Sequence, residues 1–219
     1  MSAKRVFARV AGMVVLVVLL AFGAWAQKNE VSVTAGATFV STQTIQNPPE
    51  GDPNPNIHFG NEETIAFNYS RFLKRVRIFG FQAEVPIAIY PRMDLNTGAN
   101  EVPKDIGALF VTPSLRMNIF SGESVSPWVS VGGGYGRFRE APKVNYYGDS
   151  QGPTGTNTGV VQFGAGLDVW FWHSWGFRAE ARDFYSGVPD LNAVPGLPVN
   201  TGISRQHNYY VGAGFLHRF

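Results

Sequence analysis

From about residue 28 to the end of the chain, apolar and polar residues alternate one by one over long stretches. This period of two is the strongest constraint on the fold. Successive side chains of a strand point to opposite faces, so the pattern describes strands with one apolar and one polar face. Eight such strands are predicted, at about 29–41, 62–72, 76–90, 107–120, 127–138, 159–171, 176–185 and 207–219. In the first, Val31, Val33, Ala35, Ala37 and Phe39 share a face against Ser32, Thr34, Gly36 and Thr38. In the sixth, Val161, Phe163, Ala165 and Leu167 stand against Gln162, Gly164, Gly166 and Asp168. Alternation alone does not say which face is inside.

The connections alternate in length. Long ones run over about 42–61, 91–106, 139–158 and 186–206, and are rich in Pro, Gly, Asn and Asp. Short ones are predicted near Leu73–Arg75, Ser121–Glu123 and Trp172–Ser174. Short and long connections in strict turn describe an up-and-down meander, with both chain ends on the short-turn side.

Residues 1–26 have the form of an export signal. Lys4, Arg5 and Arg9 precede an uncharged stretch from Val10 to Ala26. Ala24-Trp25-Ala26 makes an A-x-A cleavage site, so the mature domain is expected to be 27–219, starting at Gln27. Removing the signal takes three of 18 cationic side chains and none of the 16 anionic ones, so the remainder is close to neutral. No basic stripe for nucleic acid survives. With no cysteine, disulfides and thiolate chemistry are excluded. After residue 26 no apolar stretch approaches the roughly 20 residues of a spanning helix, so a membrane form would be a closed barrel.

Three features point to lipid around the apolar face. That face is bulky and aromatic, whereas the polar face is crowded with Gly, Ala, Ser and Thr, which suit the inside of a narrow eight-stranded cylinder. Aromatic residues collect at the short-turn end, and Phe120, Trp128, Trp170, Trp172 and Trp175 are expected to form an interfacial girdle. Charges of both signs fall in inward phase: Glu84, Arg116, Asp168, Arg178, Glu180, Arg182 and Arg218. In a narrow lumen they must pair or stay hydrated. Pairing that fills the lumen is the favoured reading, and a gated polar path the alternative.

The last strand carries Tyr209, Val211, Ala213, Phe215, His217 and Phe219 on one face, and the chain ends on that Phe. This ending resembles the C-terminal assembly signal of bacterial outer-membrane β-barrels. With the alternation and the inward charges, the mature chain resembles the small eight-stranded outer-membrane barrels of the OmpA/OmpX type. The resemblance implies an all-β, eight-stranded antiparallel up-and-down transmembrane β-barrel with four long extracellular loops and three short periplasmic turns. It implies outer-membrane lipid and lipopolysaccharide as surroundings. It also implies that barrel-assembly machinery and periplasmic chaperones read Tyr209, Val211, Phe215 and Phe219 during biogenesis. His217 departs from the usual bulkier apolar residue or Tyr at that position.

Chemistry is sparsely signalled. Gly148-Asp149-Ser150-Gln151-Gly152 matches G-x-S-x-G but opens no helix, so it reads as a turn. Gly132–Gly136 lies inside a strand and fails the context test for a phosphate-binding loop. His58, His173, His207 and His217 are scattered. Neither a catalytic role nor a cofactor is expected. The leading expectation is a structural or surface-interaction role through the long loops. A narrow channel for small or hydrophobic solutes is the alternative, and an outer-membrane lipid-modifying enzyme is less favoured. A soluble periplasmic ligand-binding barrel would require the opposite facing.

Overall fold

The computed structural model describes residues 29–46, 48, 55–98, 101–144, 148–172, 174–194, 196 and 199–219. Residues 1–26, expected to be an export signal, and most of the Pro-rich run after Gln46 lie outside the described residues. The elements are β1 (Asn29–Val40), β2 (Gln43–Thr44), β3 (Asn56–Phe59), β4 (Glu62–Val76), β5 (Phe79–Asn96) and β6 (Asp105–Val111). They continue with β7 (Ser114–Asn118), β8 (Val125–Glu140), β9 (Thr156–Trp170), β10 (Trp175–Gly187) and β11 (Arg205–Arg218). No helix occurs among the described residues.

The sheet is antiparallel and closes on itself. β1 pairs β4, β4 pairs β5, and β5 pairs both β6 and β7. β6 and β7 pair β8, and the ladder runs on through β9, β10 and β11 back to β1. Taking β6 and β7 as one interrupted stave, the described residues form a ring of eight. The closing seam runs from Glu30 opposite Arg218 to Val40 opposite Asn208. Asn29 and Phe219 exchange backbone hydrogen bonds of 2.8 and 2.9 Å at its end.

The phases of the long strands follow the alternation, and the departures have local causes. The fourth strand is not continuous over 107–120. It breaks at Thr112-Pro113, because proline has no N–H to give the ladder. Parity nevertheless continues across the break: Ile87 faces Val111 and Glu84 faces Ser114. The first short connection is not at Leu73–Arg75. A bulge between Phe72 and Lys74 carries β4 on to Val76, and the chain turns at Arg77, whose φ is 55°. A second bulge, between Tyr90 and Met93, accommodates Pro91 and carries β5 to Asn96. The register of β10 is unbroken, so Asp183 faces outward with Ala179 and Ala181.

The polarity of the ring is inverted relative to a soluble barrel. Phe215 is 60% exposed, Phe163 and Val211 54%, while Arg116 and Asp168 are 0% exposed. The outer wall is an apolar band that includes Val33, Ile65, Phe67, Leu115, Val131 and Phe177. Removing each such side chain from water is worth about 1.5–3 kcal/mol, which a lipid surround supplies and water does not.

Closure depends on small residues at the seam. A Cβ on Gly214 would fall on the Val33 carbonyl oxygen and the Thr34 Cα. Backbone cannot yield there as a flexible side chain does. Gly214→Val is therefore expected to reduce the folded, heat-modifiable fraction on detergent gels sharply. Gly159→Val, where a Cβ meets nothing within 4 Å, should leave that fraction near wild type.

Candidate functional site

The short-turn half of the lumen is filled by an ion network built on alternate residues of six strands. Arg178 on β10 makes a two-pronged contact with Asp168 on the neighbouring β9, Nε and Nη2 each 2.8 Å from a carboxylate oxygen. Its Nη2 also reaches Glu30 Oε1 at 2.7 Å, and Nη1 donates to Ser32 Oγ at 3.0 Å. Arg116 on β7 approaches the same Glu30 oxygen at 2.5 Å and donates to Gln82 and Asn118. Its Nη1 faces Glu84 at 3.7 Å and Asp168 at 3.9 Å. Arg182 bridges Glu84 and Glu180, at 2.9 Å each. Glu180 accepts from Thr34 at 2.6 Å, and Tyr210 donates to Thr34 at 2.8 Å. Arg218 closes the lower end on Glu30 at 3.3 Å.

Four arginines thus face four carboxylates, and the charges balance. An uncompensated charge among these buried groups would be costly, so the balance is a condition for filling the lumen this way. Fork-shaped guanidinium groups suit the task because each can serve two carboxylates at once.

Trp128 lies at the centre of the network and not in an interfacial girdle. It is 1% exposed, and its indole Nε1 donates to Asp168 Oδ1 at 3.0 Å. The guanidinium carbons of Arg116, Arg178 and Arg182 stand 5.5, 5.2 and 5.0 Å from its ring centroid. Three like charges are held around one ring by its negative π face and by the carboxylates between them. The room comes from β9: Trp128 stands opposite Gly166, where a Cβ would collide with the indole.

Trp170 also turns inward, partly buried beneath Arg218, whose guanidinium lies 3.9 Å from its ring centroid. Trp172 and Trp175 are exposed at the short-turn rim. Phe120 joins them because its φ of 56° in the β7–β8 turn redirects the chain. Tyr209, Val211, Phe215 and Phe219 form an exposed outward row. In that row His217 acts as a ring, 4.5 Å from Trp175 and 6.1 Å from Phe219, centroid to centroid.

Glu30 was missing from the expected network, although it shares the parity of Ser32 and Thr34. Above the ions the lumen becomes apolar. Phe110 stacks on Phe184 at 5.0 Å and meets Phe138 edge-on at 5.8 Å. Ile57, Met93, Leu95, Val102 and Ile106 continue this core to the long-loop end. Ions, then hydroxyls and amides, then aromatics fill the axis. Elsewhere, Ser150 in the G-x-S-x-G segment accepts from the Gly152 amide at 3.3 Å, and Gly148 has φ 102°, as a turn requires. His173 lies outside the described residues. Among the described residues no cluster of three or more His, Cys, Asp or Glu could hold a metal.

No family model and no curated protein matches the chain. Among solved structures it is similar to the outer membrane protein OprG from Pseudomonas aeruginosa, with TM-score 0.54 and 10% identity over 90% of this chain and 98% of that one. It is similar to outer membrane protein AlkL in lipid bilayers, with TM-score 0.53 and 17% identity over 90% and 92%. It is also similar to Neisserial surface protein A, with TM-score 0.50 and 12% identity over 87% and 97%. At these identities the likeness is one of fold, and the chain has the fold of the small outer-membrane β-barrels.

Removing one ion should cost more than the pair is worth. Arg178→Met leaves Asp168 and Glu30 short of a partner, and is expected to lower unfolding stability by about 3–5 kcal/mol. Arg218→Met, at the partly exposed rim, should lower it by less than about 1 kcal/mol. Urea unfolding of the purified barrel in detergent measures both; equal midpoints for the two variants would contradict a buried network.

Proposed function

We propose that this chain is an integral outer-membrane β-barrel, closed along its axis, that acts as a structural and surface-interaction element through its long extracellular loops. The observation that carries the reading is the filled lumen: Arg116, Arg178 and Trp128 are at most 1% exposed in the short-turn half of the barrel. The apolar outer wall supports the membrane placement, and the fold shared with outer-membrane proteins supports the compartment. On this reading the short turns are periplasmic and the loops face outward. Residues 1–26 are an export signal cleaved after Ala26, leaving 27–219 as the barrel.

The outward row Tyr209, Val211, Phe215 and Phe219 is the edge offered to the barrel-assembly machinery. The strand remains open to it until β1 closes the ring. Intact mass of the outer-membrane form is expected to begin at Gln27. Deleting Phe219 is expected to lower the assembled fraction severalfold, with unfolded chain left to periplasmic proteolysis. Unchanged assembly would remove the signal role.

A narrow channel is the competing reading, and planar bilayers separate the two. The wild-type barrel is expected to give no sustained single-channel steps. Trp128→Ala, which empties the centre of the network, is expected to produce them. Steady wild-type conductance would overturn the closed-lumen reading.

A further inference from the structure

The segment joining β10 to β11 lies across the long-loop mouth and is tied to three other connections. Ala193 donates its amide to the Glu101 carbonyl at 2.9 Å and accepts from the Gln151 amide at 2.8 Å. The Asn200 carbonyl accepts from the Gln46 amide at 2.6 Å. Leu191 and Val199 join the apolar core beneath. Gly152 lies so close to the Asn192 carbonyl that a Cβ there would collide with it. Between this segment, β2 and the start of β9 is a cleft of about 290 Å³, near the lower end of the range for small-molecule sites.

The lining combines apolar Val188, Leu191 and Ile203 with polar Gln43, Thr156 and Asp190. Donors around it are already engaged. Gln43 Nε2 donates to Gln206 Oε1 at 2.8 Å, and the Thr156 hydroxyl to Glu140 Oε1 at 2.6 Å. Asn192 Nδ2 donates to Asp190 Oδ1 at 2.7 Å, and the Asn192 amide to the same oxygen at 3.0 Å. Asp190 is partly exposed, and neither a donor nor a cation among the described residues meets its Oδ2.

A second carboxylate lies behind Thr156. Glu140 is 1% exposed, and its Oε2 has no donor. The outward, exposed Arg137 and Arg139 show that the apolar wall has ended on this strand, and across the ladder β6 sets Ile106 opposite Glu140. Burial, with the charge of Asp190, pushes the Glu140 carboxyl above the usual carboxylate range. The four arginines of the lower network match its carboxylates, whereas these two acids have no cation beside them among the described residues. Positive charge entering the cleft would compensate Asp190 by contact and Glu140 through space.

We infer that the mouth cleft binds a small organic cation, an ammonium group on a compact apolar body. The ammonium donates to Asp190 Oδ2 in a charge-assisted hydrogen bond, and the body lies against Val188, Leu191 and Ile203. An ammonium carries donors and no acceptor, which suits a lining whose donors are taken. A neutral alcohol of the same shape lacks the charge, and a carboxylate is repelled. The inference gives the loop role proposed above a ligand class and rests on that role for its setting.

Nuclear magnetic resonance titration of the purified, heat-modifiable barrel in non-ionic detergent tests it. Failure to bind is then distinct from failure of the membrane or closed-lumen readings, which fractionation and planar bilayers test. The probes are benzylammonium, benzyl alcohol and benzoate. Benzylammonium is expected to bind at least tenfold more tightly than either of the others, with shifts at Asp190 and its cleft neighbours. Asp190→Asn keeps an acceptor for Asn192 and removes the charge, and should abolish that preference. Thr201→Lys, which sets a cation in the cleft lining, should weaken benzylammonium binding tenfold. Asp149→Asn removes one exposed charge outside the cleft and should leave binding unchanged. Equal affinity for benzylammonium and benzyl alcohol, or wild-type benzylammonium binding by folded D190N or T201K, would overturn the assignment.

Discussion

Lipid offers no hydrogen bonds, so every backbone amide and carbonyl on a lipid-facing strand must find its partner within the sheet. The rest of this structure depends on that constraint. It requires the ring to close, which brings β1 against β11 and sets Gly214 against the Val33 carbonyl. Closing a ring of eight staves leaves an interior about as wide as two opposed side chains. The interior must then be filled by whatever the inward phase carries. Here that phase carries ions at the short-turn half and aromatics at the long-loop half.

The ions are a consequence of the facing and not an independent source of stability. Breaking a buried pair is far more costly than forming it is favourable, because the orphaned charge has no water. The network is therefore better seen as a device that admits one arrangement. Glu30 ties the first strand to Arg116, Arg178 and Arg218, three strands drawn together by one carboxylate. Trp128 spaces the three inner cations and gives Asp168 its third donor. A barrel assembled in another register would leave several of these charges unmatched. On the proposed reading, the same filling leaves function to the exterior.

Strand phase was legible in the sequence because a period of two leaves little freedom. It placed Glu84, Arg116, Asp168, Arg178, Glu180 and Arg182 in inward phase, and the structure puts each of them in the lumen. Three things were less legible. Glu30 was overlooked because the alternation of the first strand is most evident from Val31 onward, though parity with Ser32 could have found it. Trp128 was assigned by residue type, as a rim aromatic, against its own inward phase. Its place depends on Gly166 across the ladder, and cross-strand register is not visible in one strand. The turn after β4 was misplaced because a bulge at Phe72–Lys74 preserves the strand where alternation falters. Alternation is symmetric and did not say which face meets lipid; the small residues and charges of the polar phase pointed to the apolar one, and the ring closes with those charges inside.

The absence of cysteine makes the decisive measurement clean. Single cysteines placed one at a time from Tyr209 to Phe215, each carrying a small fluorophore, can be read in vesicles of brominated lipid. Quenching is expected to alternate, strong at positions 209, 211, 213 and 215 and weak at 210, 212 and 214. Uniform quenching, or the reverse alternation, would contradict a closed barrel that holds its charges inside and its apolar face in lipid.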